Sequence, residues 1–124
     1  MRDVGAHLDV AVSRDDGVLV ISAAGEIDVA SAKKFGAAFV SAANERSIVV
    51  SLQGVRYVDS SGLTVLVRQH KRLRAHGGRL AVVLPVGPAA RVFHITRLNH
   101  VLPCFYELAD AIHEARGARG ASLS

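Results

Sequence analysis

Two adjacent serines in the segment Asp59-Ser60-Ser61-Gly62, called the serine turn below, have the clearest capacity for chemistry. The segment lies between a strand pattern and a helix pattern, where aspartate or serine commonly accepts hydrogen bonds from free backbone N–H groups. A helix N-terminus also carries a partial positive charge, so a serine there can receive a phosphoryl group at little cost to the fold. The phosphate would add a charge of about −1.5 to −2 at neutral pH. The turn is therefore predicted to cap a helix, and it could also act as a reversible switch.

The elements that hold this turn are predicted from hydrophobic periodicity. A strand shows alternating or continuous apolar residues, whereas a helix shows apolar residues every three to four positions. Strands are predicted at residues 8–12, 18–21, 47–52, 80–84 and 101–105. Helices are predicted at residues 30–44, from the serine turn to Gly77-Gly78, and at residues 88–96 and 107–115.

The resulting order, β-β-α-β-α-β-α-β-α, predicts a single α/β domain over residues 8–115. Its sheet should be mostly parallel, with four to five strands, an antiparallel entry hairpin and covering helices. Residues 116–124 have no apolar period and are predicted to form a disordered tail. Because parallel strands end at one edge, Asp28 and the serine turn should face the same rim, about thirty residues apart in sequence.

Composition narrows the class of protein. The chain has 124 residues, of which 50% are hydrophobic, 21% charged and only 5% aromatic, which excludes a disordered chain and predicts an aliphatic core. The single cysteine, Cys104, forms no intramolecular disulfide and favours a reducing compartment. No apolar stretch is long enough to span a bilayer, and the start Met1-Arg2-Asp3 does not resemble a secretory signal. We therefore expect a cytoplasmic protein that does not contact membranes.

Enzyme and metal functions are poorly supported by the remaining residues. A hydrolase built on Ser60 would need a placed base and an oxyanion hole, and no G-x-S-x-G motif is present. The six histidines form no dense ligand cluster, so no metal site is predicted. His70 lies beside the apolar stripe of its helix and is interpreted as a packing residue, and Cys104 is interpreted as a core residue.

Basic residues are concentrated in the second half of the chain. Residues 59–124 carry nine Lys or Arg against four Asp or Glu, whereas residues 1–58 carry six against seven. Four of the nine, Arg68, Lys71, Arg72 and Arg74, follow the serine turn. Of these, Arg68, Lys71 and Arg72 are expected to lie off the apolar stripe of the helix. This surface fits an ordinary solvated face, a salt-sensitive contact with an acidic partner, or a nucleic-acid contact. Nucleic acid is the least favoured, since the chain has no helix-turn-helix signature and no aromatic platform for bases.

Taken whole, residues 8–115 resemble the STAS domain family, specifically the bacterial anti-sigma-factor antagonists. The resemblance rests on an ordered set of motifs rather than on one of them. These are Gly25-Glu26-Ile27-Asp28, Ile48-Val49-Val50-Ser51-Leu52, Val58-Asp59-Ser60-Ser61-Gly62-Leu63, Gly77-Gly78-Arg79-Leu80 and Thr96-Arg97-Leu98.

The resemblance implies a regulatory role rather than an enzyme. In this family the first serine after the aspartate, which is Ser60 here, is phosphorylated by an anti-sigma factor with serine kinase activity. The unphosphorylated form binds that anti-sigma factor and frees the sigma factor, and a PP2C-type phosphatase restores it. ATP and Mg²⁺ would belong to the partner kinase, so the chain itself is expected to hold no cofactor. Partner contacts are expected from Glu26, Asp28, Asp59, Ser60, Ser61, Gly62, Leu63 and Arg68.

The sequence departs from the family pattern at three places. Ser51 and Arg97 stand where the family often has aspartate and glycine, and the helix after the serine turn is unusually basic. The alternatives left open are a STAS signalling or scaffold module that works without phosphorylation, and a small basic nucleic-acid-binding protein. A weak homodimer is also left open.

Overall fold

The strands lie side by side in the sheet in the same order in which they occur in the sequence. A computed structural model, which describes residues 7–120, contains five strands in the order β1-β2-β3-β4-β5. The strands are β1 (Leu8–Asp15), β2 (Val18–Ile27), β3 (Ser47–Val58), β4 (Arg79–Val83) and β5 (Cys104–Phe105). The α-helices are α1 (Ala32–Val40), α2 (Ser60–Ala75), α3 (Arg91–Ile95) and α4 (Leu108–Gly120).

Strand directions confirm the predicted mixed α/β sheet. β1 and β2 pair antiparallel, and β2, β3, β4 and β5 pair parallel in succession. The entry hairpin turns at Asp16 and Gly17, whose φ angles of 55° and 81° are both positive. Asp-Gly is a favoured pair at such a turn because both central residues must adopt this left-handed backbone.

Two apolar clusters cover the two faces of the sheet. The larger one joins alternate strand residues to buried side chains of α1, α2 and α3, among them Phe35, Leu66 and Phe93. The smaller one joins the intervening strand residues to α4 through Ala111, Ile112 and Ala115. This explains the continuous apolar runs at residues 18–21 and 48–50, because both faces of these strands are buried.

The central strands run further than their apolar patterns predict. β2 continues to Ile27 and β3 to Val58, and the pairing between them shows two register shifts, at Ser22/Ala24 and at Gly25/Glu26. Such bulges let strands stay paired while one of them gains a residue and bends. At the second bulge a Cβ on Gly25 would lie 2.0 Å from the His7 carbonyl oxygen, so this position requires glycine.

α2 ends as predicted. Gly77 has a φ of 75°, its N–H donates to the Arg74 carbonyl, and the Gly78 N–H donates to the Leu73 carbonyl. These two bonds form a Schellman motif, in which a left-handed glycine satisfies the last free carbonyls. α1, in contrast, is shorter than the predicted helix 30–44, because the chain forms turns from Ser41 onwards.

The segment between β4 and α4 differs from its prediction. The single helix predicted at 88–96 is a 3-10 turn, Pro88–Ala90, followed by α3, and the strand predicted at 101–105 is only β5. A second 3-10 turn, Leu98–His100, occupies the chain before β5. Arg97 has a φ of 60°, in the left-handed region where glycine is unstrained, which gives a physical reason for glycine at this family position.

The last helix also runs past its predicted end. α4 reaches Gly120 instead of Ala115, so residues 116–120 are helical rather than part of the predicted disordered tail. Residues 121–124 of that tail lie outside the described residues. None of the helices in residues 7–120 has the length and apolar character needed to cross a membrane.

Candidate functional site

Asp59 caps α2 from the end of β3. Its backbone is extended, with φ −110° and ψ −171°, and its Oδ1 accepts a hydrogen bond of 2.9 Å from the Ser61 N–H. Its own carbonyl accepts from the N–H groups of Gly62 and Leu63 at 3.1 Å. The predicted helix cap is therefore present, and Asp59 rather than either serine provides it.

Gly62 brings the first turn of α2 against the sheet. A Cβ at this position would lie 2.6 Å from Ile27 Cγ2 and 2.8 Å from Val58 Cγ2, both closer than carbon atoms can pack. Leu63 is 8% exposed and belongs to the larger apolar cluster. Both residues are expected to contact a partner, and in the described structure both are buried and pack the first turn of α2 against the sheet.

Ser60 is the first residue of α2 and is exposed. No described residue hydrogen-bonds to its hydroxyl group, whereas its carbonyl accepts from Thr64 Oγ1 at 2.8 Å. Ser61 is half-buried and its N–H is held by Asp59. Of the two serines, Ser60 therefore offers the more accessible nucleophilic oxygen at the helix N-terminus.

Asp28 stands beside this turn, as the shared edge of parallel strands predicts. The Asp59 N–H donates to the Ile27 carbonyl at 3.0 Å, which joins the ends of β2 and β3 directly. Asp28 follows Ile27 and is half-buried, with Oδ1 accepting from the N–H groups of Ala30 and Ser31 at 3.0 Å. Two carboxylate-bearing turns therefore meet at one edge, which we call the carboxyl rim: the ends of β2–β5 and the residues that follow them.

The other predicted contact residues lie on β2 and further along α2. Glu26 is half-buried within β2, and its carboxylate lies 3.8 Å from the Arg56 guanidinium. Together with Lys34 these two residues line an open groove over β1, β2 and β3. Arg68 is exposed on α2, about 12 Å along the helix axis from Ser60, given a rise of about 1.5 Å per residue.

Four exposed apolar side chains on the carboxyl rim were missed by the sequence analysis. Each stands at or just beyond the end of one of the parallel strands β2–β5. They are Val29 (80% exposed), Tyr57 (51%), Val86 (74%) and Tyr106 (68%). A contiguous exposed apolar patch can mark a contact surface. An apolar residue near the end of each of these strands was therefore the available signal.

His70 is buried and Cys104 is half-buried, in line with their predicted packing roles. His70 is 6% exposed, its Nδ1 has no hydrogen-bond partner in the described structure, and burial, assisted by Arg74, lowers its pKa. Cys104 packs against the larger cluster, and burial raises the pKa of its thiol to about 11. A thiol with so high a pKa is almost entirely protonated at neutral pH and therefore a poor nucleophile. In residues 7–120 no three His, Cys, Asp or Glu side chains converge on a metal position.

Comparison with known proteins identifies the family to which this chain belongs. A family model of the STAS domain matches residues 9–111, and the chain belongs to the STAS domain family. The anti-sigma-F factor antagonist RsfB of Mycobacterium tuberculosis is 30% identical over 114 residues, covering 90% of this chain and 93% of the relative. The anti-sigma-B factor antagonist of Bacillus subtilis is 31% identical over 97 residues, covering 77% and 89%.

A solved structure shows the same similarity. The crystal structure of an anti-sigma factor antagonist from Mycobacterium paratuberculosis aligns with a TM-score of 0.80 at 30% identity. The alignment covers 93% of this chain and 99% of that one. The α/β fold predicted from the alternation of strand and helix patterns is thus confirmed as a single STAS domain.

Proposed function

We propose that this protein is an anti-sigma-factor antagonist whose carboxyl rim binds a kinase-type anti-sigma factor. Binding by the unphosphorylated form releases a sigma factor, and phosphorylation of Ser60 ends the complex. The protein acts as a binding regulator in the cytoplasm and contributes no catalytic group. ATP and Mg²⁺ are held by the partner, and a PP2C-type phosphatase regenerates the serine.

One observation carries this proposal: the hydroxyl of Ser60 is exposed and without a partner among the described residues, at a helix N-terminus on the carboxyl rim. The Ser60 oxygen can attack the γ-phosphorus of ATP, losing its proton as ADP leaves. Hydrolysis by water then returns serine and inorganic phosphate. The helix N-terminus accommodates the added anion, so the fold is expected to survive modification.

Charge explains why phosphorylation should oppose binding rather than promote it. The phosphate would join two neighbouring carboxylates, Asp28 and Asp59, on the same rim. The first two turns of α2, residues 60–67, contain no charged residue that could neutralise it. Covering this concentrated negative charge with a partner would cost several kcal/mol unless the partner supplied a matching cation.

Two further observations support partner binding at the rim. Val29, Tyr57, Val86 and Tyr106 provide exposed apolar area there, as protein interfaces require at their centres. The named relatives RsfB and the Bacillus subtilis protein are themselves anti-sigma factor antagonists.

The modification is tested by incubating the protein with each kinase-type anti-sigma factor encoded in the same genome, with ATP and Mg²⁺. Mass spectrometry of the tryptic peptides should place one phosphate on Ser60, and Ser60→Ala should abolish it. Phosphate on Ser61 would move the site by one residue. No phosphate with any candidate would favour a STAS module that works without phosphorylation.

Binding is tested by pulldown of the anti-sigma factor with three variants. Ser60→Ala should bind like the wild type, and Ser60→Asp should bind at least about tenfold more weakly, given the unfavourable burial of charge. Ser13→Asp is the matched control, since it adds the same charge at an exposed position on β1 toward the opposite edge. Equal binding by Ser60→Asp and the wild type would contradict the electrostatic switch.

A further inference from the structure

α2 carries an unbalanced positive charge. Its sixteen residues include four cations, Arg68, Lys71, Arg72 and Arg74, and no Asp or Glu. The four ion pairs found in residues 7–120 are Arg14–Glu45, Arg56–Glu26, Arg79–Glu114 and Arg116–Asp16. None of them involves α2, so its charge is not neutralised by an ion pair within the described structure.

Two of the four cations have a role within the fold. The half-buried Arg72 donates from Nε to Gln69 Oε1 at 2.7 Å and from Nη1 to the Ala43 carbonyl at 3.4 Å. Arg74 lies in the last turn, where a positive charge interacts favourably with the helix dipole. These contacts account for Arg72 and Arg74 without an external partner.

Arg68 and Lys71, called the basic pair below, have no such role. Both are exposed, and neither side chain makes a hydrogen bond or ion pair with any described residue. They lie three positions apart, and each has another cation of α2 three or four positions further on, so like charges repel along the helix. The basic pair therefore destabilises the isolated fold slightly, and no hydrogen bond or ion pair with a described residue offsets this repulsion.

The basic pair shares a helix face with Ser60. At about 100° per residue, Ser60, Thr64, Arg68 and Lys71 fall within about 80° of one another around α2. All four are exposed, and the pair begins about 12 Å along the axis from Ser60. A protein that covers Ser60 and extends along this face of α2 must therefore meet Arg68 and Lys71.

We infer that the basic pair docks an acidic segment of the kinase-type anti-sigma factor and so orients it on Ser60. This inference rests on the proposed function and adds the chemistry by which the partner is chosen. An acidic protein segment fits better than nucleic acid, because it can confine its charge to the basic pair. A phosphate backbone running along this face carries charge along its whole length and would approach the carboxylates of Asp28 and Asp59. The face also lacks an aromatic side chain on which a base could stack.

The test uses the anti-sigma factor that modifies or binds the wild-type protein, with Arg68→Gln/Lys71→Gln as the variant. Its matched control is Arg14→Gln/Arg116→Gln, which removes the same net charge at two exposed cations outside the Ser60 face of α2. Circular dichroism establishes that both are folded. Association and dissociation rates and the Kd are measured at low and at physiological salt, together with the KM and kcat of Ser60 phosphorylation.

The inference predicts a Kd about tenfold higher for the basic-pair variant at low salt, mainly through slower association, and a smaller difference as salt rises. KM should rise with little change in kcat, and the control should stay within about twofold of the wild type. Binding that is equal for the basic-pair variant and the wild type would overturn the inference and leave the proposed function intact. If no kinase-type anti-sigma factor of the same genome binds or modifies the wild type, both the inference and the proposed function are overturned.

A short duplex DNA is the second probe, at the same salt concentrations. We expect only weak binding that the basic-pair variant and the control lose to a similar degree. Tight and strongly salt-dependent binding that only the basic-pair variant loses would assign this face to nucleic acid and overturn the inference.

Discussion

Two turns on the carboxyl rim begin with aspartate but use their serines in opposite ways. In Asp28-Val29-Ala30-Ser31, the serine is 2% exposed, and its hydroxyl donates to the Glu26 carbonyl at 2.8 Å and accepts from the Asp28 N–H at 3.0 Å. In the serine turn, Ser60 is exposed and its hydroxyl has no partner among the described residues. Both aspartates bind backbone N–H groups of the following turn.

The difference lies in the spacing between aspartate and serine. A serine three residues after the aspartate folds back beneath the turn and ties it to the preceding strand. A serine one residue after the aspartate begins the helix and faces outward. Similar bonds from aspartate to the backbone therefore accompany a buried, hydrogen-bonded serine before α1 and an exposed serine at the start of α2.

The largest expected effect is on the free energy of unfolding, and it tests the close packing of the serine turn against the sheet. Gly62→Ala should lower the free energy of unfolding by about 1–3 kcal/mol, because the new methyl group overlaps Ile27 and Val58. Gly117→Ala is the control: the nearest atom to its Cβ would be Arg79 Nη1 at 4.0 Å, so the substitution should stabilise α4 by up to about 1 kcal/mol. Urea denaturation measures both, and similar values for the two variants would show that close packing does not explain Gly62.

The comparison of the serines is tested directly by removing each hydroxyl. Ser31→Ala should cost about 1–2 kcal/mol of unfolding free energy, since it leaves the Glu26 carbonyl and the Asp28 N–H without this partner. Ser60→Ala should change stability by less than about 0.5 kcal/mol, as expected for an exposed side chain without contacts. A loss from Ser60→Ala as large as that from Ser31→Ala would mean that Ser60 has a structural role.

The prediction with the smallest effect at neutral pH concerns the stability of the two helices that follow these turns, α1 and α2. α1 buries Phe35 and Phe39, whereas α2 also buries His70. Because the pKa of His70 is lowered in the folded state, the unfolded chain binds the proton more readily. The stability linked to His70 is therefore complete above its unfolded pKa of about 6.5 and is lost as the pH falls below that value.

Hydrogen exchange and urea denaturation between about pH 7.5 and pH 5 measure this loss. Amides of α2 should lose protection at acid pH before those of α1, and His70→Gln should reduce the pH dependence. His113→Gln, at an exposed histidine on α4, should retain it. An unchanged pH dependence in His70→Gln would show that another group is responsible.

Much of this architecture was predictable because apolar patterns report burial. The apolar runs at residues 18–21 and 48–50 indicated the two central strands, and the pair Gly77-Gly78 indicated the end of α2. The alternation of elements then placed Asp28 and the serine turn on one rim.

The remaining features depend on contacts between distant residues, which local patterns do not report. The extensions of β2 and β3 follow from pairing across two bulges. The burial of Leu63 and the exposure of Tyr57 depend on how α2 lies against the sheet. β5 is shorter than the predicted strand because the N–H groups of Val101 and Leu102 bond back to the Leu98 carbonyl, and Pro103 has no N–H to donate.

The sequential order of the sheet has a consequence for how the chain is made. Each new strand pairs with the one synthesised before it, so the sheet can grow in one direction as the chain leaves the ribosome. Ile27, Val58 and Gly62, which seat the serine turn, are all present once the first half of the chain has emerged. The second face of the sheet is completed later, since in the described structure Val18, Val20 and Val49 pack in the cluster that includes α4. Until α4 has been synthesised and has packed on the sheet, this apolar face is open to solvent, and the nascent domain is then most prone to aggregation.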